Sequence, residues 1–512
     1  MEIREVGVIG LGTMGAGIAE VFARGGLPVI AVEADDGALA RGMAAVRGSL
    51  GRALSRGRLA EDEYGRILGR IRPATAIEEA ATADLVVEAV PERLPLKQQV
   101  VAELGRCCRP DAILATNTSS LPVTAIAAGS ARPGRVVGMH FFNPAPTMRL
   151  VEVVTTVLSD PAAAQAVADL ARRLGKTPVL VGDRAGFVAN ALLLPYLNHA
   201  VRLLEAGYAG REDIDAAATA GLGLPMGPLA LLDLIGLDTA LAILEVLRRE
   251  LGEARHVPAP LLRRMAEAGR VGRKSGAGFY EYPPPERGDR PPGPPGVPAG
   301  PPPRTVTVIG PGEQAAASER TARLAGFIAA AGCAVTRDPG EPSDLAVIAI
   351  GPEGGVLGPA RAAGRAADAV GLHLIGPEPG RADLAELVPS PLTAPEAAGA
   401  ARSLAARLGI RAVRSPDRPG LLAGALLAPH LRDAVAMIAD GYASPADVDA
   451  AMTLGCGYPR GPVRMLADAG PAAVIGVLRA MHAAYGDPAF APPPLLIEWA
   501  LAGVPPAPRP AG

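Results

Sequence analysis

EVGVIGLGTMGAGIAEVFARGGLPVIAVE, residues 5–33, decides how the rest of this 512-residue chain is read. An apolar run, Val6 to Ile9, breaks into Gly10-Leu11-Gly12-Thr13-Met14-Gly15. A helical pattern follows, with Ile18, Val21 and Phe22 on one side, and then a second apolar run, Val29 to Val32, ending on Glu33. These parts share one reason if a dinucleotide lies across them. Gly10 permits the tight turn, Gly12 lets the backbone approach a pyrophosphate, and Gly15 lets helix and strand pack closely. Thr13 and Met14 complete the turn and open a helix whose N-terminal N–H groups face the phosphates. An ordinary glycine-rich βα turn is the alternative, and the flanking elements with their terminal acid argue against it. Glu33 suits the ribose 2′-OH of NAD and repels the extra phosphate of NADP. Ala34, Asp35 and Asp36 bring no arginine to receive that phosphate, so the cofactor expected is NAD.

Composition narrows the field. A hydrophobic share of 49% allows full cores, and a net charge of −2 gives no support for nucleic-acid binding. No run approaches about 18 uninterrupted apolar residues, so no membrane span is expected. The first strand begins within five residues of the N-terminus, which leaves no room for a signal peptide. Cys107, Cys108, Cys333 and Cys456 lack metal-binding spacing; no metal is expected, and free thiols fit a cytoplasmic protein. The only lysines are Lys97, Lys176 and Lys274 in a chain otherwise served by arginine. A lysine kept in such a chain points to a need for a compact ammonium rather than a planar fork.

Residues 37–72 read as one or two helices carrying Arg41, Arg47, Arg52, Arg56 and Arg58. Strands are expected at 84–90, 112–115, 135–140 and 149–155, with a helix started by proline after the first. Alternating strands and helices predict a doubly wound α/β domain over residues 1–182. Amphipathic helices then fill 183–282, and a proline-rich linker occupies 283–303.

Beyond the linker the chain repeats itself. GYAGREDIDAA at 207–217 returns as GYASPADVDAA at 441–451, with seven of eleven positions identical. GLGLPMGP at 221–228 returns as GCGYPRGP at 455–462, and both pairs share an offset of 234. The same offset carries Asp183-Arg184 onto Asp417-Arg418. The helical domain is therefore duplicated over 415–512, preceded by a shortened, degenerate Rossmann-like segment at 304–414.

Ligands of a doubly wound sheet sit outside the carboxyl ends of its strands, where Ser119, His140 and Asn143 fall. His140 is the acid–base candidate, with Glu152 on the next strand able to hold its other ring nitrogen. A structural histidine and a solvated strand acid are the plainer readings of the same two residues. GLGTMGAG, VEAVPERLPLK, NTSSL, HFFNP, GFVAN, LGLPMGP and GRKSGAGFY together resemble the 3-hydroxyacyl-CoA dehydrogenases, in order, over residues 1 to about 282. The layout with an extra C-terminal copy is similar to the 3-hydroxybutyryl-CoA and 3-hydroxyadipyl-CoA branch.

The resemblance implies an NAD-binding Rossmann domain, an all-α domain, and NAD-dependent oxidation of (S)-3-hydroxyacyl-CoA in fatty-acid or aromatic-acid degradation. It implies that His140 takes the 3-hydroxyl proton with Glu152 paired to it. Ser119 and Asn190 would hold the substrate oxygens, and Glu92, Lys97 and Asn143 would lie on the cofactor side. Ser49 and Arg56 would meet coenzyme A, Arg56 standing where the family places a lysine. A homo-oligomer is allowed by it.

Two rivals remain: a dehydrogenase of a CoA-free hydroxy or sugar acid, and a non-catalytic NAD-binding protein. HFFNP and the basic 41–58 segment weigh against the first, the intact Ser119, His140, Glu152 and Asn190 set against the second. The second copy is expected to be catalytically silent. VGLH ends on His373 and Glu386 follows it, but Asn143 maps to Gly376 and Asn190 to Gly424. Its turn, Gly310-Pro311-Gly312-Glu313-Gln314-Ala315, also lacks the third glycine.

Overall fold

The computed structural model describes residues 2–282, 302–310, 315–376 and 382–503. Most of the expected linker and the turn residues Pro311 to Gln314 lie outside them. The chain divides into two compact units. The first takes residues up to Leu193, Arg249–Leu251 and Asp440–Gly461; the second takes Leu194–Arg248, Gly252–Ala439 and the residues from Pro462 on. This division runs through both helical regions instead of between them.

The first unit is built on eight strands: β1 (Val6–Ile9), β2 (Val29–Val32), β3 (Ile71–Ala74), β4 (Leu85–Glu88), β5 (Ile113–Thr116), β6 (Val136–Phe141), β7 (Leu150–Thr155) and β8 (Thr177–Gly182). Their order across the sheet is β3-β2-β1-β4-β5-β6-β7-β8. The central strands are mostly apolar and buried because the sheet is covered on both faces there. Val6, Val8, Val29, Ala31, Leu85 and Val87 enter one core with the helices Thr13–Arg24 and Pro161–Arg173. Ile9, Ile30, Val32 and Val86 point the other way, into a core with the helix Leu94–Cys107. At the turn Gly10 has φ +88°, and a β-carbon on Gly15 would stand 1.7 Å from the Gly10 carbonyl oxygen. A side chain at either position is therefore incompatible with this turn.

Two features depart from the sequence reading. The 37–72 segment is the helices Asp36–Ser55 and Glu61–Gly69, and its end is not helical but opens strand β3. Pro73 stops any helix there and is tolerated because β3 is the sheet's edge. The second is strand β8, Thr177–Gly182, which the sequence reading did not place. β7 runs antiparallel to β6, putting His140 and Glu152 in register as direct cross-strand neighbours.

The second unit holds a six-stranded sheet: β9 (Thr305–Ile309), β10 (Ala334–Thr336), β11 (Leu345–Ala349), β12 (Ala369–Ile375), β13 (Leu384–Pro389) and β14 (Arg411–Arg414), in the order β10-β9-β11-β12-β13-β14. Matched by sequence, β9, β10, β11, β12, β13 and β14 correspond to β1, β2, β4, β6, β7 and β8. Counterparts of β3 and β5 are missing among the described residues. β11 pairs directly with β12, whereas β4 and β6 have β5 between them.

Helical segments complete each unit from the opposite repeat. In the first, the helix Pro445–Gly455 of the second repeat packs on β7 and β8. In the second, the helix Arg211–Ala216 and the wider turn continuing it to Gly221 pack on β14 and β13. No helix of the described residues is long and apolar enough to cross a membrane.

Candidate active site

The carboxyl ends of β1, β2, β4, β5 and β6 bring the sequence candidates to one edge of the first sheet. Gly12 caps the helix Thr13–Arg24, and a β-carbon there would have nothing within 4 Å. The missing side chain at Gly12 is thus not demanded by packing; it leaves open space in front of the helix N-terminus, where a pyrophosphate fits. Thr13 is exposed and Met14 half-buried beside it. Glu33, just past β2, accepts from the backbone N–H of Leu11 at 2.6 Å and of Ala34 at 3.0 Å. Its carboxylate is therefore tied to the glycine turn and still has acceptor capacity for a ribose hydroxyl.

Glu92 is bonded to the loop that follows β5. One oxygen accepts from Thr118 Oγ1 at 2.6 Å and from the N–H groups of Ser119 and Ser120 at 2.9 and 3.2 Å. Burial works against its charge, but Lys97 and these hydrogen bonds outweigh it and hold the carboxyl below its ordinary range. Lys97 itself is fully buried; its Nζ donates to both Glu88 oxygens at 3.1 and 3.0 Å and to Val90 O at 3.2 Å. It stands 3.5 Å from Glu92 and reaches the ligand side through that residue. A compact three-donor ammonium suits such a pocket.

His140, at the end of β6, is 6% exposed, and its Nδ1 lies 2.7 Å from Glu152 Oε2. The other Glu152 oxygen accepts from the N–H groups of Val188 and Ala189, each at 3.0 Å. Phe187 makes this possible: its φ of +48°, unusual for a residue with a side chain, turns the chain so that those N–H groups face the carboxylate. The His140 ring lies 4.5 Å from Phe142 and 5.6 Å from Phe187, centroid to centroid. Asn190, one residue past the Glu152 contacts, donates from Nδ2 to Ser119 O at 3.4 Å. His140, Glu152, Ser119, Asn190 and Glu92 are thereby brought together. Asn143 is exposed on the loop after β6, and Ser49 and Arg56 stand apart on the helix Asp36–Ser55 and its C-terminal cap.

Other residues at the site escaped sequence reasoning. Asn117 Oδ1 accepts from Phe141 N at 2.8 Å and so ties the end of β5 to the histidine's strand. Glu88 is the buried partner of Lys97 and also accepts from Thr116 Oγ1. Its signal was an acid inside an apolar strand run, nine residues before a rare lysine. Lys176 is buried and donates to the carbonyls of Ala145 and Met148, both at 2.7 Å. It thus holds the loop that carries Asn143. Burial, with the nearby charges of Arg149 and Arg24, brings its pKa down to about 8.

Residues 5–184 match the 3-hydroxyacyl-CoA dehydrogenase NAD binding domain, and residues 186–282 and again 420–510 match the C-terminal domain of the same family. The chain belongs to the 3-hydroxyacyl-CoA dehydrogenase family. It is an NAD-dependent oxidoreductase of the Rossmann type with a duplicated helical domain, as the sequence reading held. A Mycobacterium tuberculosis 3-hydroxybutyryl-CoA dehydrogenase is 48% identical over 282 residues, which is 55% of this chain and 99% of that one. An Escherichia coli 3-hydroxyadipyl-CoA dehydrogenase is 33% identical over 506 residues, 98% of each chain. The solved structure of an Escherichia coli 3-hydroxybutyryl-CoA dehydrogenase covers 98% of this chain and 99% of its own at 31% identity, with a TM-score of 0.80.

Proposed function

We propose that the protein oxidises short (S)-3-hydroxyacyl-CoA thioesters, of the 3-hydroxybutyryl or 3-hydroxyadipyl kind, to 3-oxoacyl-CoA in the cytoplasm. The observation that carries this is the His140–Glu152 pair standing beside Ser119 and Asn190 at the strand ends next to the glycine turn. With Nδ1 bonded to the Glu152 carboxylate, the ring's proton sits on Nδ1 and Nε2 is left as the acceptor. Nε2 takes the 3-hydroxyl proton, and Glu152 stabilises the imidazolium that results. Ser119 and Asn190 hydrogen-bond the substrate oxygens and fix the carbinol carbon. Bound NAD would supply the acceptor for the hydride; Gly10, Gly12, Gly15 and Glu33 would hold it, with Glu92 and Asn143 on the cofactor side and Lys97 acting there through Glu92. Ser49, on the helix Asp36–Ser55, and Arg56, at its C-terminal cap, meet coenzyme A.

The test is a panel of C4 to C16 3-hydroxyacyl-CoAs, 3-hydroxyadipyl-CoA and the free 3-hydroxy acids, followed by NADH absorbance. Turnover of a short thioester with NAD, and little with its free acid, is the expected result. Turnover of the free acid alone would favour the CoA-free reading. Glu33→Ala should narrow the preference for NAD over NADP through tighter NADP binding.

A further inference from the structure

The second repeat packs against the aromatic ring that lies beside His140. In the first unit the helix Pro445–Gly455 ends against β7, and a β-carbon on Gly455 would stand 2.5 Å from Leu150 Cδ2 and 3.3 Å from the Phe142 ring. Leu150 is fully buried, and Phe142 is the ring that lies 4.5 Å from His140. Gly455, Phe142 and His140 therefore form one stack, two members from the first repeat and one from the second. The segment is fastened at its other end as well. Tyr442 Oη donates to Gly182 O at 2.8 Å, Asp440 pairs with Arg184 at 3.3 Å, and the Arg184 guanidinium lies 5.3 Å from the Tyr442 ring centre. Burial, with the Glu152 charge near it, pushes the Cys456 thiol well above its ordinary range, as expected for the next residue of the same wall.

The second unit has the same seam without the chemistry. Gly221, the counterpart of Gly455, would place a β-carbon 2.9 Å from Leu384 and 3.8 Å from Ile375. Leu384 and Ile375 stand where Leu150 and Phe142 do. The seam is thus a packing device of both units, but only in the first does it press on an aromatic ring that lies against a catalytic base.

We propose that Gly455 is a positioning residue for His140: the second repeat, itself without chemistry, sets the placement of the imidazole through Phe142. The proposal rests on His140 acting as the base. A side chain at Gly455 must displace Leu150 or Phe142, and a misplacement of about 1 Å at a reacting group costs roughly 10²-fold in rate.

The experiment compares Gly455→Val with Gly221→Val in the full chain. Both should lower the melting temperature, because both crowd the same kind of seam. Gly455→Val should lower kcat at least tenfold, displace the acidic limb of the pH–rate profile, and leave the KM for NAD within twofold. Gly221→Val should keep kcat and the profile. Adding Leu150→Ala to Gly455→Val, which makes room, should recover part of the rate. If Gly455→Val fails to fold, Phe142→Leu supplies the same reading and must displace the same limb. A wild-type profile in Gly455→Val or Phe142→Leu, or an equal loss of kcat in Gly221→Val, overturns the proposal. An inactive wild-type chain, or a His140→Gln variant with wild-type turnover, would refute the function reading instead.

Discussion

In the first unit His140 Nδ1 stands 2.7 Å from Glu152, whose other oxygen takes the N–H groups of Val188 and Ala189. In the second, His373 Nδ1 stands 2.7 Å from Glu386, whose other oxygen takes those of Leu422 and Ala423. Even the turn is copied, since Leu421 has φ +49° where Phe187 has +48°. What surrounds the pairs differs. Among the described residues the second sheet has no strand corresponding to β5, and with it no equivalent of Asn117, Thr118 and Ser119. Gly424 replaces Asn190, and Ile375 and Gly376 replace Phe142 and Asn143. A histidine–glutamate pair on neighbouring antiparallel strands is thus first a structural staple. Its carboxylate satisfies two N–H groups at the start of a buried helix, which would otherwise lack partners. On the proposed mechanism, chemistry is added only where a cofactor turn, a serine and an amide are gathered around it.

The largest test of that contrast is to remove each histidine in turn. His140→Gln should lower kcat by about 10²–10⁴, the usual cost of a lost general base, with NAD affinity nearly intact. His373→Gln should leave kcat unchanged. Steady-state kinetics on the two variants side by side checks both. A loss of turnover in His373→Gln would mean that the second pair does more than fasten a helix.

A smaller effect is expected from making the first site resemble the second at one position. Asn190→Gly should lower kcat/KM for the thioester by about tenfold to a hundredfold, the loss of one or two well-placed hydrogen bonds at about 1.4 kcal/mol per factor of ten. The melting temperature should move little, because Asn190 is only half-buried. Unchanged kcat/KM would remove the amide from the list of differences that matter.

How much of this was legible beforehand follows from what kind of information each feature needs. Residues 5–33 were readable because every part of the turn is a local requirement on backbone conformation. His140 and Glu152 were readable as a pair because the strands carrying them are consecutive. Strand β3 was missed because Ile71-Arg72-Pro73-Ala74 is too short to show a period and follows directly on a helix. Asn117 and Lys176 were missed as site residues because their partners are backbone groups, Phe141 N in one case and loop carbonyls in the other. The division of the helical repeats between the units was not visible either. Apolar periodicity says that the helix Pro445–Gly455 must bury a face; it does not say which of two similar sheets will cover it.

The smallest effect concerns pH. Lys176 has a pKa of about 8 in the folded chain, below the ordinary lysine value of 10.5. Between those values the unfolded chain binds more protons than the folded one, so this group adds stability as pH rises across the window and loses it as pH falls through about 8. Lys176→Met should flatten the stability curve between about pH 8 and 10, followed by urea unfolding at several pH values. It should also loosen the 143–148 loop and raise the KM for NAD. The second repeat has Ile410 where Lys176 stands, so no matching lysine confuses the measurement.

The central claim is that one site per chain, in the first unit, does the chemistry. Isothermal titration of NAD into the full-length protein counts the sites directly. The account predicts one NAD per chain, and none after Gly12→Asp, which places a side chain and a negative charge in the open space before the helix N-terminus. Two NAD per chain, or one that survives Gly12→Asp, would contradict it.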